Sequence, residues 1–229
     1  VHAVVSSPGW GADETLDPRR SLLSEVYDGT LAEVVAVPTR NLVPKPAELS
    51  WEHAACLPTA WLTAYRMLFT NADVQPGATV LVQGAAGGVA TALVQLGSAA
   101  GLRMWVTSRD GARGEQAVAL GADQWFPSGA RLPDRVDAVM ETVGAATWSH
   151  SVNSLRPGGT IVISGATSGD APAKAELTKI FFKQLRVVGS TMGTRDELDR
   201  LCRFVVGAGI EPLIDSVLPL ADARKGFEA

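Results

Sequence analysis

The sequence predicts an α/β fold built on a doubly wound parallel sheet, accompanied by a smaller β-rich part. Three observations predict it. From residue 79 onward, short β-branched runs alternate with helical stretches over short connections, the texture of a parallel sheet covered on both faces. The first such run, Thr79 to Gln83, leads straight into the glycine-rich turn Gly84-Ala85-Ala86-Gly87-Gly88 and then into a helix. The chain carries no internal repeat and no low-complexity tract, so the alternation is not that of a solenoid.

Taken in order, residues 1–46 read as β-rich. Ala3-Val4-Val5-Ser6 is a short strand, Pro8 to Arg20 is loop-like, and Gly29 to Val37 has strand character before Pro44 and Pro46 close the region. Ser50 is a good cap for a helix starting at Trp51, which must break or kink at Pro58 because proline has no N–H to give. A second helical run covers Ala60 to Phe69. Strand 79–83 and helix 88–100 follow, then strand 103–107, helix 113–120, strands 122–126 and 136–140, and helix 146–155. Arg156-Pro157-Gly158-Gly159 reads as a stop and a turn before strand 160–164. A helix at 176–183, a strand at 186–190 and a helix at 195–207 complete the series. Leu213 to Leu218 returns to strand texture, and a helix begins near Leu220.

The chain has 229 residues, of which 46% are hydrophobic and 19% charged, enough for a sizeable core in an ordinary globular protein. A net charge of −4 gives no footprint for nucleic acid or an acidic membrane surface. No apolar run is long enough to span a bilayer. The chain opens Val1-His2-Ala3-Val4-Val5 without a basic leader and without Met, so the expectation is a cytoplasmic protein whose true N-terminus lies earlier. Cys56 and Cys202 stand far apart with no CxxC spacing and no Cys/His cluster, which argues for two free thiols rather than a disulfide framework or a cysteine-based zinc.

The glycine-rich turn sets the chemistry. Positions 85, 87 and 90 read Ala-x-Gly-x-x-Ala, a variant of the dinucleotide fingerprint. Ala86, Gly87, Gly88 and Val89 would let the backbone approach a pyrophosphate, with the free N–H groups of the helix start facing the anion. The next strand ends about 20 residues further on, where an acidic residue would read the adenosine ribose. Here the position is Ser108, followed by Arg109 and, one turn on, Arg113. A hydroxyl with two guanidinium forks suits a 2′-phosphate, which favours NADP(H) over NAD(H). The same arginines also serve as solvated charges around a helix start, and both readings stand at this point. Later strand ends offer Thr142 and Val143, Gly165 and Ala166, and Met192 and Gly193, small or backbone-presenting residues beside a flat ring, or else ordinary turns.

Five segments carry a resemblance to the medium-chain dehydrogenases/reductases of the quinone oxidoreductase-like and alcohol dehydrogenase-like kind. They are Pro58-Thr59-Ala60-Trp61-Leu62-Thr63-Ala64-Tyr65, Gln75-Pro76-Gly77-Ala78-Thr79-Val80-Leu81-Val82, the turn Gly84–Ala90, Ala119-Leu120-Gly121-Ala122-Asp123 and Leu155-Arg156-Pro157-Gly158-Gly159. The resemblance implies a Rossmann NAD(P)-binding domain at 56–212 between two parts of a GroES-like substrate domain, at 1–55 and 213–229, with hydride transfer in the cleft between the domains. It places Thr63 near the nicotinamide. It also puts Thr59 where true alcohol dehydrogenases often carry a zinc-ligand Cys, and the region 9–28, where a four-Cys structural-zinc lobe would fall, has none. No zinc is therefore expected. Family members run on beyond this sequence at both ends, and the Gly-His-Glu segment that bears a zinc-ligand His is absent here.

These readings point to an NADP(H)-dependent oxidoreductase that passes hydride to a quinone or an α,β-unsaturated carbonyl without metal, acting on a small molecule and working as a homodimer. Two alternatives stay open: a zinc-type alcohol dehydrogenase with ligands outside this sequence, and a non-catalytic dinucleotide-binding module. No general acid stands out. Tyr65, His53 and His150 read as core or helix-face residues, and Trp10 and Trp61 as apolar wall or packing.

Overall fold

The computed structural model describes residues 13–228 apart from Arg19, Ser24 and Val26. The expected strand at Ala3–Ser6 and the wall residue Trp10 lie outside them. Two compact units divide the chain: Thr63–Thr191 forms one, and the residues up to Leu62 with those from Met192 onward form the other.

The helical elements begin with α1 (Trp51–Cys56), capped as expected by the Ser50 hydroxyl, which accepts from the His53 N–H at 3.1 Å. The helix does not break at Pro58. It widens into a π turn over Leu57–Trp61, in which the Leu62 N–H bonds the Leu57 carbonyl five residues back. The wider turn absorbs the missing N–H and the ring bulk that an α turn would not. The run goes on as α2 (Leu62–Tyr65) and a second π turn, Arg66–Ala72.

The larger unit holds one six-stranded, all-parallel sheet. Its strands are β1 (Thr79–Val82), β2 (Arg103–Ser108), β3 (Gln124–Pro127), β4 (Val136–Glu141), β5 (Leu155–Ile163) and β6 (Arg186–Gly189). Their spatial order, 3-2-1-4-5-6, is that of the doubly wound dinucleotide fold. Helices α3 (Gly88–Ala99), α4 (Gly111–Ala119), α5 (Trp148–Ser154) and α6 (Leu177–Phe182) cross between strands. Register explains why the strands read as unbroken apolar runs. Leu81 pairs with Trp105 and Val139, and Val139 with Ile161, so these four form a row on one face. Val152 of α5 joins that cluster. The neighbouring row, Val80, Met104 and Ala138, looks to the other face, where Met104 lies directly on Gly97 of α3. Both rows are sealed, and each full burial of such a side chain is worth roughly 2 kcal/mol.

The expected turn at 156–159 does not separate two elements. It is a bulge inside β5, whose register jumps between Val136–Leu155 and Ala138–Thr160. Proline and glycine are tolerated there because the bulge carries no ladder bonds.

The second unit corrects the β-rich expectation. Between Asp13 and Ser50, the described residues form 3-10 turns at Glu14–Leu16 and Thr39–Asn41 and one isolated bridge, Leu23 to Tyr27, but no strand. Residues 213–218 form none either. A strand is a pairing, and β-branched residues without a partner stay extended and open to water: Val34 is 87% exposed. The unit's main helix is α7 (Arg195–Ala208), held by a capping box between Thr194 and Glu197. Arg195 ties the start of α7 to two loops, donating its backbone N–H to Glu14 and its Nε–H to the Leu42 carbonyl. A short 3-10 turn at Leu220–Asp222 and α8 (Ala223–Glu228) close the described chain.

Candidate functional site

Because all six strands run parallel, the segments after β1, β2, β4 and β5 emerge at one edge of the sheet. That edge is where open α/β sheets take their ligands. The first segment is the glycine-rich turn. Gly84 adopts φ +83° and lies so close to Val143 that an added Cβ would stand 3.1 Å from its Cγ2. Ala86, Gly87 and Gly88 are exposed and Val89 is half-buried. Gly87 caps α3 with no side-chain hydrogen bond, and the first intrahelical bond runs from the Thr91 N–H to the Gly87 carbonyl. A Cβ built on Gly87 would meet no protein atom within 4 Å. The protein's own packing therefore does not require glycine there, and the free space above open N–H groups suits a pyrophosphate.

At the end of β2, Ser108 is buried, and its hydroxyl donates to the Asp110 carbonyl at 2.7 Å while accepting the Asp110 N–H at 3.1 Å. The Asp110 carboxylate caps α4 by accepting from Ala112. Arg109 and Arg113 are exposed, and Arg113 stands 3.9 Å from Asp110. Ser108 is thus a turn-forming residue as well as a candidate contact, while the Arg109 side chain makes no hydrogen bond or ion pair among the described residues.

Thr142 and Val143 after β4, and Gly165 and Ala166 after β5, form two loops laced together. The Ser168 hydroxyl donates to the Val143 carbonyl at 2.7 Å, the Ala145 N–H donates to the Gly169 carbonyl at 2.9 Å, and the Thr167 N–H donates to the Thr142 carbonyl at 3.3 Å. Gly144, at φ +93°, is pressed against this second loop: a Cβ would fall 2.5 Å from the Gly169 oxygen. Thr63 is buried at the start of the same unit. Met192 and Gly193 follow β6 and belong to the other unit, where Met192 takes a left-handed φ of +44°.

Beneath the crevice lies a buried polar cluster that the sequence reading did not single out. Glu141 accepts through Oε1 from the Val143 and Gly144 N–H groups, at 2.8 and 3.0 Å, and from the Thr147 hydroxyl at 2.9 Å. Ser151 donates to Glu141 Oε2 at 2.6 Å. Gln83 donates to Ser151 at 3.0 Å and accepts from Thr107 at 2.7 Å. His150 joins through Nδ1, 2.8 Å from the Gln83 amide nitrogen, with Nε2 2.8 Å from the Ala130 carbonyl. The available signal was a polar residue closing a buried apolar run: Gln83 after Val80-Leu81-Val82, and Glu141 after Val139-Met140.

Among the described residues, no group of three or more His, Cys, Asp or Glu side chains is placed to hold a metal ion. No helix there is long and apolar enough to cross a membrane.

The fold is that of the doubly wound, Rossmann-like α/β proteins. A family model described as zinc-binding dehydrogenase matches residues 88–207, and the chain belongs to that family, within the medium-chain dehydrogenases/reductases. It is 30% identical over 209 residues to an acryloyl-coenzyme A reductase of Metallosphaera sedula, covering 90% of this chain and 62% of that protein. Among solved structures it resembles an NAD-dependent alcohol dehydrogenase (34% identity, TM-score 0.85, 94% of this chain and 65% of that one). It also resembles the 2-octenoyl-CoA carboxylase reductase CinF in complex with NADP and 2-octenoyl-CoA (30% identity, TM-score 0.83, 93% and 54%). The chain thus spans about three-fifths of the length of these relatives.

Proposed function

We propose that the protein is an NADP(H)-dependent reductase that adds hydride to an α,β-unsaturated carbonyl compound, with an enoyl thioester of coenzyme A as the best-supported substrate. The observation that carries the reading is the open glycine turn at Ala86–Gly88, with the exposed Arg109 fork following at the end of the next strand. In this reading the turn's N–H groups bind the pyrophosphate, and Arg109 with Arg113 pairs with the 2′-phosphate. Thr142, Val143, Gly165 and Ala166 present backbone groups to the nicotinamide half, with Thr63 of the same unit; Met192 and Gly193, which belong to the other unit, are proposed as cofactor contacts on the family resemblance alone. Bound NADPH would supply the hydride. The substrate class rests on the acryloyl-CoA reductase and the NADP-bound octenoyl-CoA relative. Thr59, in place of a cysteine ligand, fits a reduction that needs no metal to polarise an alkoxide.

The residues before about 56 and after about 212 make up the GroES-like substrate-domain remnant in this proposal. A homodimer would form along β6. That strand is one of the sheet's two edges, and on α6, the helix before it, Phe181 and Phe182 are 62% and 74% exposed.

The test is oxidation of NADPH by the protein with crotonyl-CoA or acryloyl-CoA, set against an aldehyde panel. Turnover confined to the enoyl thioesters supports the reading. Turnover confined to aldehydes and dependent on added zinc favours the alcohol dehydrogenase alternative, to which the 34%-identical neighbour points. Cofactor binding without turnover favours the non-catalytic module.

A further inference from the structure

With Glu141 as a carboxylate, the polar cluster under the crevice has one consistent arrangement of its protons. The Glu141 carboxylate can only accept, so Ser151 spends its single hydroxyl proton on Oε2, at 2.6 Å. Ser151 must then accept from Gln83, which fixes the amide with its NH2 end toward α5. The Gln83 oxygen is left facing Thr107, which donates to it at 2.7 Å. Thr107 is then free to accept, and it does so from the Gly84 N–H at 3.3 Å. The second proton of the Gln83 amide goes to His150 Nδ1, so the imidazole carries its proton on Nε2 and gives it to the Ala130 carbonyl.

The bonds form one directional chain: Gly84 N–H to Thr107 O–H to Gln83 amide to Ser151 O–H to Glu141. Every donor points toward the carboxylate. Gln83, Thr107, Ser151 and Glu141 are at most 1% exposed, so no water competes and each bond polarises the next. From its other oxygen, Glu141 fixes the Val143 and Gly144 N–H groups. The chain thus joins the first residue of the glycine turn to the loop after β4, whose Val143 side chain packs against Gly84.

We propose that Glu141 is a positioning residue for dinucleotide binding, which through this chain holds the glycine turn and the 142–144 loop in a single shared geometry. The inference rests on the proposed NADP(H) reading of the crevice. It extends that reading to a buried residue at the end of β4, the strand paired with β1. Thr107, on β2, becomes energetically coupled to Glu141, on β4, although no hydrogen bond links the two directly.

The test is NADPH affinity, by nicotinamide fluorescence, of Glu141→Gln, Thr107→Val, their double variant and Thr107→Ser. Each of the first two is expected to weaken NADPH about tenfold, and the double variant no more than the weaker single, because one chain is broken in both. Thr107→Ser keeps the hydroxyl and should stay within about twofold of the parent. Losses that add in the double variant, or melting temperatures that fall while NADPH affinity holds, would overturn the proposal. If Glu141→Gln does not fold, the Thr107→Val and Thr107→Ser pair decides: loss with Val and retention with Ser supports the chain, and equal affinities overturn it. If the parent protein binds no NADPH, the NADP(H) reading fails on its own, and amide hydrogen exchange then tests the chain. Faster exchange at Gly84 in Glu141→Gln supports it, and unchanged exchange at Gly84 overturns it.

Discussion

The two sides of the crevice differ in how much of their backbone is already committed. After β1 and β2, the chain leaves groups open: Ala86, Gly87, Gly88, Arg109 and Arg113 are exposed, and the N-terminus of α3 has no side-chain cap. After β4 and β5, the loops are bonded to each other and down to Glu141, and Gly144 is in backbone contact with its neighbour loop. An open side can bind a charged group by its unsatisfied donors. A laced side can only offer a preformed wall. The difference teaches that the glycines of the two sides are kept for opposite reasons, Gly87 for what is absent above it and Gly144 for what presses against it.

Adding a methyl group at each tests this comparison most severely. Gly144→Ala places a Cβ against the Gly169 oxygen and the Ala166 Cα at a left-handed φ, and should cost about 3 kcal/mol in urea unfolding. A loss below about 0.5 kcal/mol would mean that the laced side yields easily. Gly87→Ala should do the reverse: its backbone is extended, at φ −83°, so stability should stay within about 0.5 kcal/mol. NADPH affinity, read by fluorescence titration, should fall tenfold or more, roughly 1.4 kcal/mol.

Arg109→Ala sharpens the open side further. NADPH should weaken by about 1.4 kcal/mol while NADH is untouched, because only the 2′-phosphate distinguishes the two. The smallest expected effect lies at the opposite edge of the sheet, where β5 and β6 begin. Lys183 donates its ammonium to the carbonyls of Val152, Asn153 and Leu155 at the end of α5. Burial, then the charges of Arg135 and Lys179, hold its pKa below the ordinary 10.5. The unfolded chain therefore binds this proton more tightly than the folded one. Stability should climb as pH rises from the lowered value toward 10.5, and fall as pH drops back through it. Lys183→Met should flatten that limb of the pH–stability curve.

Much of this was legible in the residues. Val80-Leu81-Val82 and Ala138-Val139-Met140 are apolar on both faces because helices cover both, and the sequence pattern says so directly. The glycine turn was legible because its spacing serves a backbone geometry. Gly29–Val37 was misread for the complementary reason. Its β-branched residues state a preference, whereas a strand also needs a neighbour to pair with, and no strand forms there among the described residues. At Pro58 the regular α turn does end, as the missing N–H requires, but the chain continues in a wider turn whose form the residues do not announce. The chain from Gly84 to Glu141 was illegible because its members lie up to 68 residues apart and meet only once the strands are in register.

The central claim is that the crevice is built for NADP(H), with an open donor turn and an arginine fork on one side. The most direct test is calorimetric titration of the protein with NADPH and with NADH under the same salt conditions. NADPH should bind about tenfold more tightly, with the gap closing as salt screens the arginine–phosphate pair. Equal affinities, or a preference for NADH, would contradict it.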